Sequence, residues 1–560
     1  MFRYAAIASA AALLLMSDAV DQTTFADRGT ATRSVVWAPH AMVCAAQPLA
    51  VQAGLDMLKQ GGTAVDAAIA VNACLGLMEP TSNGLGGDMF AIVWDPKLKK
   101  VMGLNASGRA PLALTAAKMR ELAHADTIPL LSPLSWTVPG TCDGWFELHK
   151  RYGKLPMKTI LAPAIRYATE GFPVSPVIAG DWGRGAEKLK AFPGFADVFM
   201  PGGHAPKEGE IFRNPALAKT LQLIADQGRD AYYKGSIAEA LVRYSKANGG
   251  YYAMEDFARN TATWDDPIST TYRGYTVYET PPPTQGLAAL LSLNLLEGFD
   301  LASVPIHSVE HLHLLLEVTK IAYADRDRWV ADPEHTRLPI AQLLDKGYAN
   351  TRRQLFDPHK AQPYQWGDPE GDTTGFVVAD GRGNVLSVIQ SVYKSFGSGI
   401  VAPGTGVVLQ NRGAYFSTDP KHPNHLAPRK RPFHTLMACV VTRDNLPVLG
   451  YSTMGGDGQA MFHTQGLTNI LDYGMEIQEA IERPRFVYGA IDPGDALVDT
   501  ARIEGRVPAD VREGLARKGH QVQPVSDWFA RTGHAHGITL HDGTLRGGAD
   551  PRGDGAAIGF

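Results

Sequence analysis

Gly371-Asp372-Thr373-Thr374-Gly375-Phe376-Val377-Val378 joins a polar stretch, Asp357 to Asp372, to an apolar run with strand character. A hydroxyl residue stands at the junction. A threonine hydroxyl is a poor nucleophile unless a base lies beside it. Cutting the chain before Thr373 would supply that base. The freed α-amine, with a pKa of about 7.7–8.0, can accept the hydroxyl proton at neutral pH. The strand would hold the group. The Pro-, Gly- and acid-rich stretch before it reads as an exposed, mobile loop that can move away once cut. Most threonines at a strand start are structural, so the weight has to come from the rest of the chain.

Downstream, Gly375 to Ala379 and Val385 to Tyr393 read as strands joined by the turn Asp380-Gly381-Arg382-Gly383-Asn384. Leu446 to Ser452 is a further strand, Gln459 to Tyr473 and Ile477 to Glu482 are helices, and strands near Gln521 to Val525 and His536 to Leu540 close the chain. Upstream, Gln47 to Gln60 is a helix stopped by Gly61-Gly62. Ala64 to Met78 is apolar on nearly all sides, which predicts a buried helix. A glycine-dense loop, Gly84-Leu85-Gly86-Gly87-Asp88, precedes strands at Phe90 to Trp94 and Val101 to Leu104. The middle, about 150 to 350, reads as mostly helical, with Ser308 to Trp329 the longest run and Pro281-Pro282-Pro283 a stiff extended segment. Strands at both ends with helices between predict an α+β layered sandwich and not βαβ repetition.

The 560 residues carry a net charge of −4, with 45% hydrophobic and 20% charged residues, which excludes disorder and coiled coil as the main architecture. A nucleic-acid partner needs a concentrated basic face, and Arg429-Lys430-Arg431 is too short to make one. Arg3, the apolar run Ala5 to Met16 and the triplet Ser17-Asp18-Ala19 read as a secretory signal over residues 1–19, followed by a polar, flexible segment over 20–35. No other stretch is long enough to cross a bilayer, so the expectation is an exported protein, periplasmic in a Gram-negative cell. Cys44, Cys74, Cys142 and Cys439 form no C-x-x-C pair and read as structural filler. His534-Ala535-His536 and the nearby trio His422, His425 and His434 lack the Cys or carboxylate that completes a usual metal set. Gly84-Leu85-Gly86-Gly87 lacks the third glycine of a dinucleotide loop and precedes a strand. Neither a metal nor a cofactor is expected.

Five further segments carry a resemblance. They are Gly61-Gly62-Thr63-Ala64-Val65-Asp66-Ala67-Ala68, Glu79-Pro80-Thr81-Ser82-Asn83-Gly84-Leu85-Gly86-Gly87-Asp88, Ala322-Tyr323-Ala324-Asp325-Arg326, Gly397-Ser398-Gly399-Ile400 and Asp550-Pro551-Arg552-Gly553-Asp554-Gly555-Ala556-Ala557. In this order and spacing the chain, from about residue 36 onward, resembles the γ-glutamyltranspeptidase (glutathione hydrolase) family of self-cleaving N-terminal-nucleophile hydrolases. The resemblance implies a four-layer αββα sandwich built from two chains: a large subunit, 36–372, and a small one, 373–560. It implies cleavage between Asp372 and Thr373, with Thr373 as nucleophile. Ser391 matches a hydroxyl residue that hydrogen-bonds the nucleophile. Gly455-Gly456 matches the pair whose backbone N–H groups form the oxyanion hole, where losing one donor typically costs about 3–4 kcal/mol.

The departures bear on substrate. In Gln410-Asn411-Arg412-Gly413-Ala414-Tyr415-Phe416, Tyr415 stands where transpeptidases place the carboxylate that holds a glutamyl α-amine. Arg109, in Ser107-Gly108-Arg109-Ala110-Pro111, falls about two positions later than the arginine that clamps the α-carboxylate. It could still bind a substrate carboxylate or sit in an ion pair. His434-Thr435 replaces a Ser-Ser pair, and Tyr393 stands where Asn or Glu is common. Tyr393, Asn411, Tyr415, His434, Thr435 and Arg109 are thus the expected substrate contacts. The short Ser417 to Lys430 segment resembles the lidless, cephalosporin-acylase-like branch, where an open pocket favours hydrolysis over transfer. The leading expectation is an autoprocessed enzyme acting on γ-glutamyl or related carboxylate-bearing amides. An acylase without glutamyl preference is the alternative, and a secreted non-catalytic binding homologue is the reading from another class.

Overall fold

The computed structural model describes residues 31–123, 127–363, 372–489, 498–541 and 543–560. The signal reading over 1–19, and residues 20–30 of the 20–35 segment, lie outside these residues. Two seven-stranded sheets dominate. One runs in the order Ala556–Gly559, Met42–Ala45, Asp372–Ala379, Val385–Tyr393, Asp88–Asp95, Lys100–Ala106 and Thr263–Asp265. The other runs Val36–Ala38, Thr544–Ala549, Ala535–His541, Leu446–Thr453, Cys439–Arg443, Tyr275–Glu279 and Ile268–Tyr272. All neighbours within these two sheets pair antiparallel.

Alternation along the strands builds three apolar layers, because successive side chains leave opposite faces. Val377, Ala379, Val385 and Ile389 meet Leu436, Ala438, Val440 and Ile538 between the sheets. Phe376, Val378, Leu386 and Val388 face outward onto the helices Pro48–Lys59, Ala64–Met78 and Thr141–Tyr152. On the far side Cys439, Val441, Leu449 and Tyr451 pack on Gly286–Leu296, Val309–Trp329 and Gln459–Leu471. The result is the expected αββα sandwich. The Ala64–Met78 helix, apolar all round, lies buried in its layer, and its start is set by a capping box between Thr63 and Asp66. Such a cap is worth about 1 kcal/mol.

Each sheet combines strands from both sides of Thr373, so neither side contains a complete sheet. The middle of the chain is less helical than its pattern suggests: Thr263–Asp265, Ile268–Tyr272 and Tyr275–Glu279 are strands. These are short, polar on one face and placed at or near sheet edges, so they carry no long apolar run. The stretch read as a loose loop is also tied down in its first part. His313 Nε2 meets the Asp357 carbonyl at 2.8 Å, Gln362 N donates to Glu317 Oε2 at 3.0 Å, and Lys518 Nζ donates to the Pro358 carbonyl at 2.6 Å. Residues 364–371 of that stretch lie outside the described residues. The four cysteines are buried and free. Among the described residues, no helix is long and apolar enough to cross a membrane.

Candidate active site

The strand Asp372–Ala379 begins with an irregularity. Asp372 pairs with Tyr393 and Thr374 with Gln390, so the single residue Thr373 opposes two, Ser391 and Val392. A bulge of this kind breaks the even ladder and re-aims a side chain. Thr373 is buried. Its Oγ1 accepts a hydrogen bond from Gln459 Nε2 at 3.3 Å. Gln459 Oε1 accepts the Met437 N–H at 3.2 Å, which fixes which end of the amide faces Thr373. Thr374 goes the other way, donating to Glu79 Oε2 at 2.7 Å in the helical layer.

Ser391 Oγ accepts from the Tyr393 N–H at 2.7 Å and from Arg412 Nη2 at 2.8 Å. Tyr393 sits at the strand end with φ of 82°, a conformation that costs a non-glycine residue energy and clusters at functional sites. Arg412 is fully buried. Its Nη1 donates to Thr435 Oγ1 at 3.0 Å, and its guanidinium stacks 4.5 Å from the Tyr393 ring. Tyr393 and Tyr415 pack against each other at a tilt of 38°, with ring centroids 4.5 Å apart.

Gln459 opens the helix Gln459–Leu471 directly after the turn of Gly455, Gly456, Asp457 and Gly458. Gly455 has φ of 130°, and a Cβ there would stand 2.5 Å from the Phe462 ring, so this turn requires glycine. The turn is held from three sides. Gln285 Nε2 donates to the Gly456 carbonyl at 2.9 Å and to the Thr435 carbonyl at 2.8 Å. Arg326 Nη1 bridges Gln285 Oε1 at 2.8 Å and Asp457 Oδ1 at 2.9 Å. Tyr323 donates to the Asp457 carbonyl at 2.5 Å, and the Tyr415 hydroxyl donates to the Asp457 carboxylate.

The other expected contacts divide. Thr435, Tyr393 and Tyr415 gather with Ser391 around Arg412. His434 is buried beside Phe90, its Nε2 3.4 Å from Asp88 Oδ2. Burial, with Arg412 and Arg431 adding to it, drives His434 well below the usual histidine value, so its ring is neutral at pH 7. Burial also raises Asp88 to about 6. Asn411 serves the backbone: its Nδ2 donates to the Gly397 and Leu130 carbonyls, and its Oδ1 accepts the Lys394 N–H. Arg109 grips Glu334 with both ends of its fork, at 2.7 and 3.0 Å, and Arg431 reaches the same carboxylate at 2.7 Å. The hydrogen bond from Arg109, then the charge of both arginines, holds Glu334 down at about 2.

Arg412, Gln459, Gln285 and Arg326 are the site residues that sequence reasoning did not single out. Arg412 lies inside the Gln410–Phe416 segment and Arg326 closes Ala322–Arg326, so both were on the page without a role. Only burial gives them one. The buried sets close enough to share an ion, among the described residues, are Glu279, Cys439 and His463, and His313, Glu317 and His520.

Two stacked sheets between helical layers, with a threonine at the start of a central strand facing a glycine turn and helix, define a hydrolase of the N-terminal-nucleophile type. The comparisons give the family. The γ-glutamyltranspeptidase profile matches residues 50–560. The chain is 41% identical to the glutathione hydrolase-like YwrD proenzyme of Bacillus subtilis, over 94% of this chain and 99% of that one. It is 36% identical to the oxamate amidohydrolase proenzyme of Klebsiella pneumoniae, over 93% and 98%. The crystal structure of cephalosporin acylase from Bacillus halodurans superposes with a TM-score of 0.89 at 39% identity, covering 95% of this chain and 98% of that one. The chain belongs to the γ-glutamyltranspeptidase family, and it is an amidohydrolase of that family.

Proposed function

We propose that this protein is an autoprocessed amidohydrolase that cleaves γ-glutamyl or related carboxylate-bearing amides through an acyl-enzyme on Thr373. In the first step the Thr373 hydroxyl adds to the Asp372 carbonyl. The C–N bond breaks, its nitrogen takes the proton, and an ester forms. Water hydrolyses that ester, leaving a chain that ends at Asp372 and one that starts at Thr373. The new α-amine then accepts the hydroxyl proton as Thr373 attacks a substrate amide. It returns the proton to the leaving amine, and water releases the acid.

The observation that carries this reading is the Thr373 oxygen 3.3 Å from Gln459 Nε2, at the first residue of the helix that follows Gly455-Gly456. A carbonyl bound there would meet glycine-turn N–H groups and the positive end of a helix. Ser391 supports it as well. Two N–H donors fix its oxygen, and the strand register sets Thr373 opposite. Relatives named for glutathione hydrolase-like, oxamate amidohydrolase and acylase activities support amide hydrolysis while differing in acyl group. The acylase reading without glutamyl preference draws on the packed Tyr393–Tyr415 pair, aromatic surface for a bulkier acyl group. The N-terminal pattern supports export to the periplasm.

The test is a denaturing gel with N-terminal sequencing, paired with hydrolysis of γ-glutamyl and glutaryl p-nitroanilides, which differ only by the amino group. Two bands, one starting at Thr373, are expected from the wild type. A single inert band is expected from Thr373→Ala. Normal cleavage in that variant would sink the assignment.

A further inference from the structure

Arg412 is a buried cation whose direct partners are neutral. It lies wholly inside the protein, yet its hydrogen bonds go to two hydroxyls, Ser391 Oγ at 2.8 Å and Thr435 Oγ1 at 3.0 Å. Its Nε has no partner. Every other fully buried arginine of the site region holds a carboxylate: Arg326 has Asp457 and Asp327, and Arg431 has Glu334. Arg412 makes no ion pair among the described residues. Asp88 acts on it only through space: its Oδ1 is bound by the Gly108 N–H at 2.7 Å and Gln410 Nε2 at 2.9 Å, and its Oδ2, which has no hydrogen-bond partner among the described residues, makes no ion pair with Arg412. Asp457 is likewise shared between Arg326 and Tyr415. Burying an unpaired charge is costly, and natural interiors supply a counter-ion or leave a place for one.

We infer that Arg412 receives the carboxylate of the acyl group, so that the enzyme selects monoamides of short dicarboxylic acids. This rests on the acyl-enzyme reading at Thr373 and deepens it. Arg412 bonds directly to Ser391, and Ser391 lies across the bulge from Thr373, where facing residues of paired strands stand about 5 Å apart. An anion on that guanidinium is therefore a few bonds from the carbonyl under attack. A two- to four-carbon diacid fits that reach. The Tyr393 ring that covers the guanidinium gives the flat wall along which such a chain would lie. The same charge opposes a free α-amine. The carboxylate bonded to Tyr415, that of Asp457, is already engaged by Arg326 and by the Tyr415 hydroxyl.

A purely positioning role, in which Arg412 only orients Ser391, would affect all substrates alike. The test separates the two. Processed wild type, Arg412→Gln and Arg412→Lys are compared on succinyl, butyryl and γ-glutamyl p-nitroanilides, with processing followed on gels. Wild type should favour succinyl over butyryl. Arg412→Gln should lose roughly 30- to 100-fold in kcat/KM on succinyl, mostly in KM, and less than about threefold on butyryl. Arg412→Lys should recover part of the succinyl rate. An equal loss on both substrates, or a wild type indifferent to the carboxylate, overturns the inference while leaving the Thr373 reading intact. An uncut, inactive wild type defeats the Thr373 reading instead. If Arg412→Gln does not mature, inhibition of the wild type decides: succinate should compete at concentrations at least tenfold below butyrate, and equal inhibition overturns the proposal.

Discussion

Gln459 holds the Thr373 hydroxyl from 3.3 Å, and its amide is oriented by the backbone of Met437. A side chain whose acceptor end is fixed by a backbone N–H presents its donor end without rotamer search. That donor can stabilise charge on the Thr373 oxygen as it attacks. Gln459→Glu replaces the donor by an acceptor, and Gln459→Leu removes it. Both variants should process more slowly, with Leu losing about tenfold and Glu more, since one hydrogen bond to a developing charge is worth about 1.5–3 kcal/mol. A time course of band conversion on gels checks this. Unaltered processing in Gln459→Glu would show that the contact is incidental.

Gly455→Ala tests the turn itself. A methyl group there meets the Phe462 ring at 2.5 Å and sits on a backbone with φ of 130°. The turn must shift, and donors aimed at an oxyanion tolerate little displacement. The expected loss is about 100-fold in kcat, the scale of removing one oxyanion donor. The thermal midpoint should move far less than the rate does.

Much of this fold was legible in local pattern. The Ala64–Met78 helix has its capping box and unbroken apolar surface, and Val385–Tyr393 has a strong turn before it and an uninterrupted strand pattern. Both were read with the bounds that the structure gives. Val36–Ala38, Thr263–Asp265 and Ala556–Gly559 were not read, because three or four residues of strand have no period to detect and owe their pairing to partners far away in the chain. The site divides similarly. Thr373 and Gly455 stand out only through the family resemblance, because a threonine at a strand start and a glycine-rich turn are ordinary by themselves. Arg412 does not stand out in the sequence. It is buried with no ion pair among the described residues, which only the packing of Ser391, Thr435 and Tyr393 around it reveals. Arg109 is open in the sequence between a substrate clamp and an ion pair, and its fork is engaged by Glu334, a partner that no spacing rule connects to it.

Acid should destabilise the protein earlier than its carboxylates alone would suggest. Burial is the largest cause lowering His307 to about 4, and His311, His520 and His536 to about 3. An unfolded histidine takes up a proton near pH 6.5, whereas these folded ones refuse it until about 3–4. Between those values the unfolded state binds more protons, so stability is full above pH 6.5 and falls as the pH drops through the window. The uncut Thr373→Ala chain, free of processing, should show a thermal midpoint that declines steadily from pH 7 to pH 4. His536→Gln should flatten that slope by one proton's share. A flat midpoint over the range would contradict the burial of these rings.

The interleaving of the sheets makes a last prediction about the two halves. Asp372–Ala379 lies between Met42–Ala45 and Val385–Tyr393, and Val385–Tyr393 pairs onward with Asp88–Asp95. In the other sheet, Cys439–Arg443 pairs with Tyr275–Glu279 and Val36–Ala38 pairs with Thr544–Ala549. A fragment of residues 373–560 made alone would therefore expose unpaired strand edges and the apolar faces that now meet the Ala64–Met78 and Gly286–Leu296 helices. Exposed edges of this length template aggregation. The fragment should be insoluble, or lack the far-UV signal of a folded sheet. The processed protein should elute as one particle containing both bands and separate only in denaturant. Recovery of a folded, soluble 373–560 fragment would mean that the sheets do not depend on strands from both sides of Thr373.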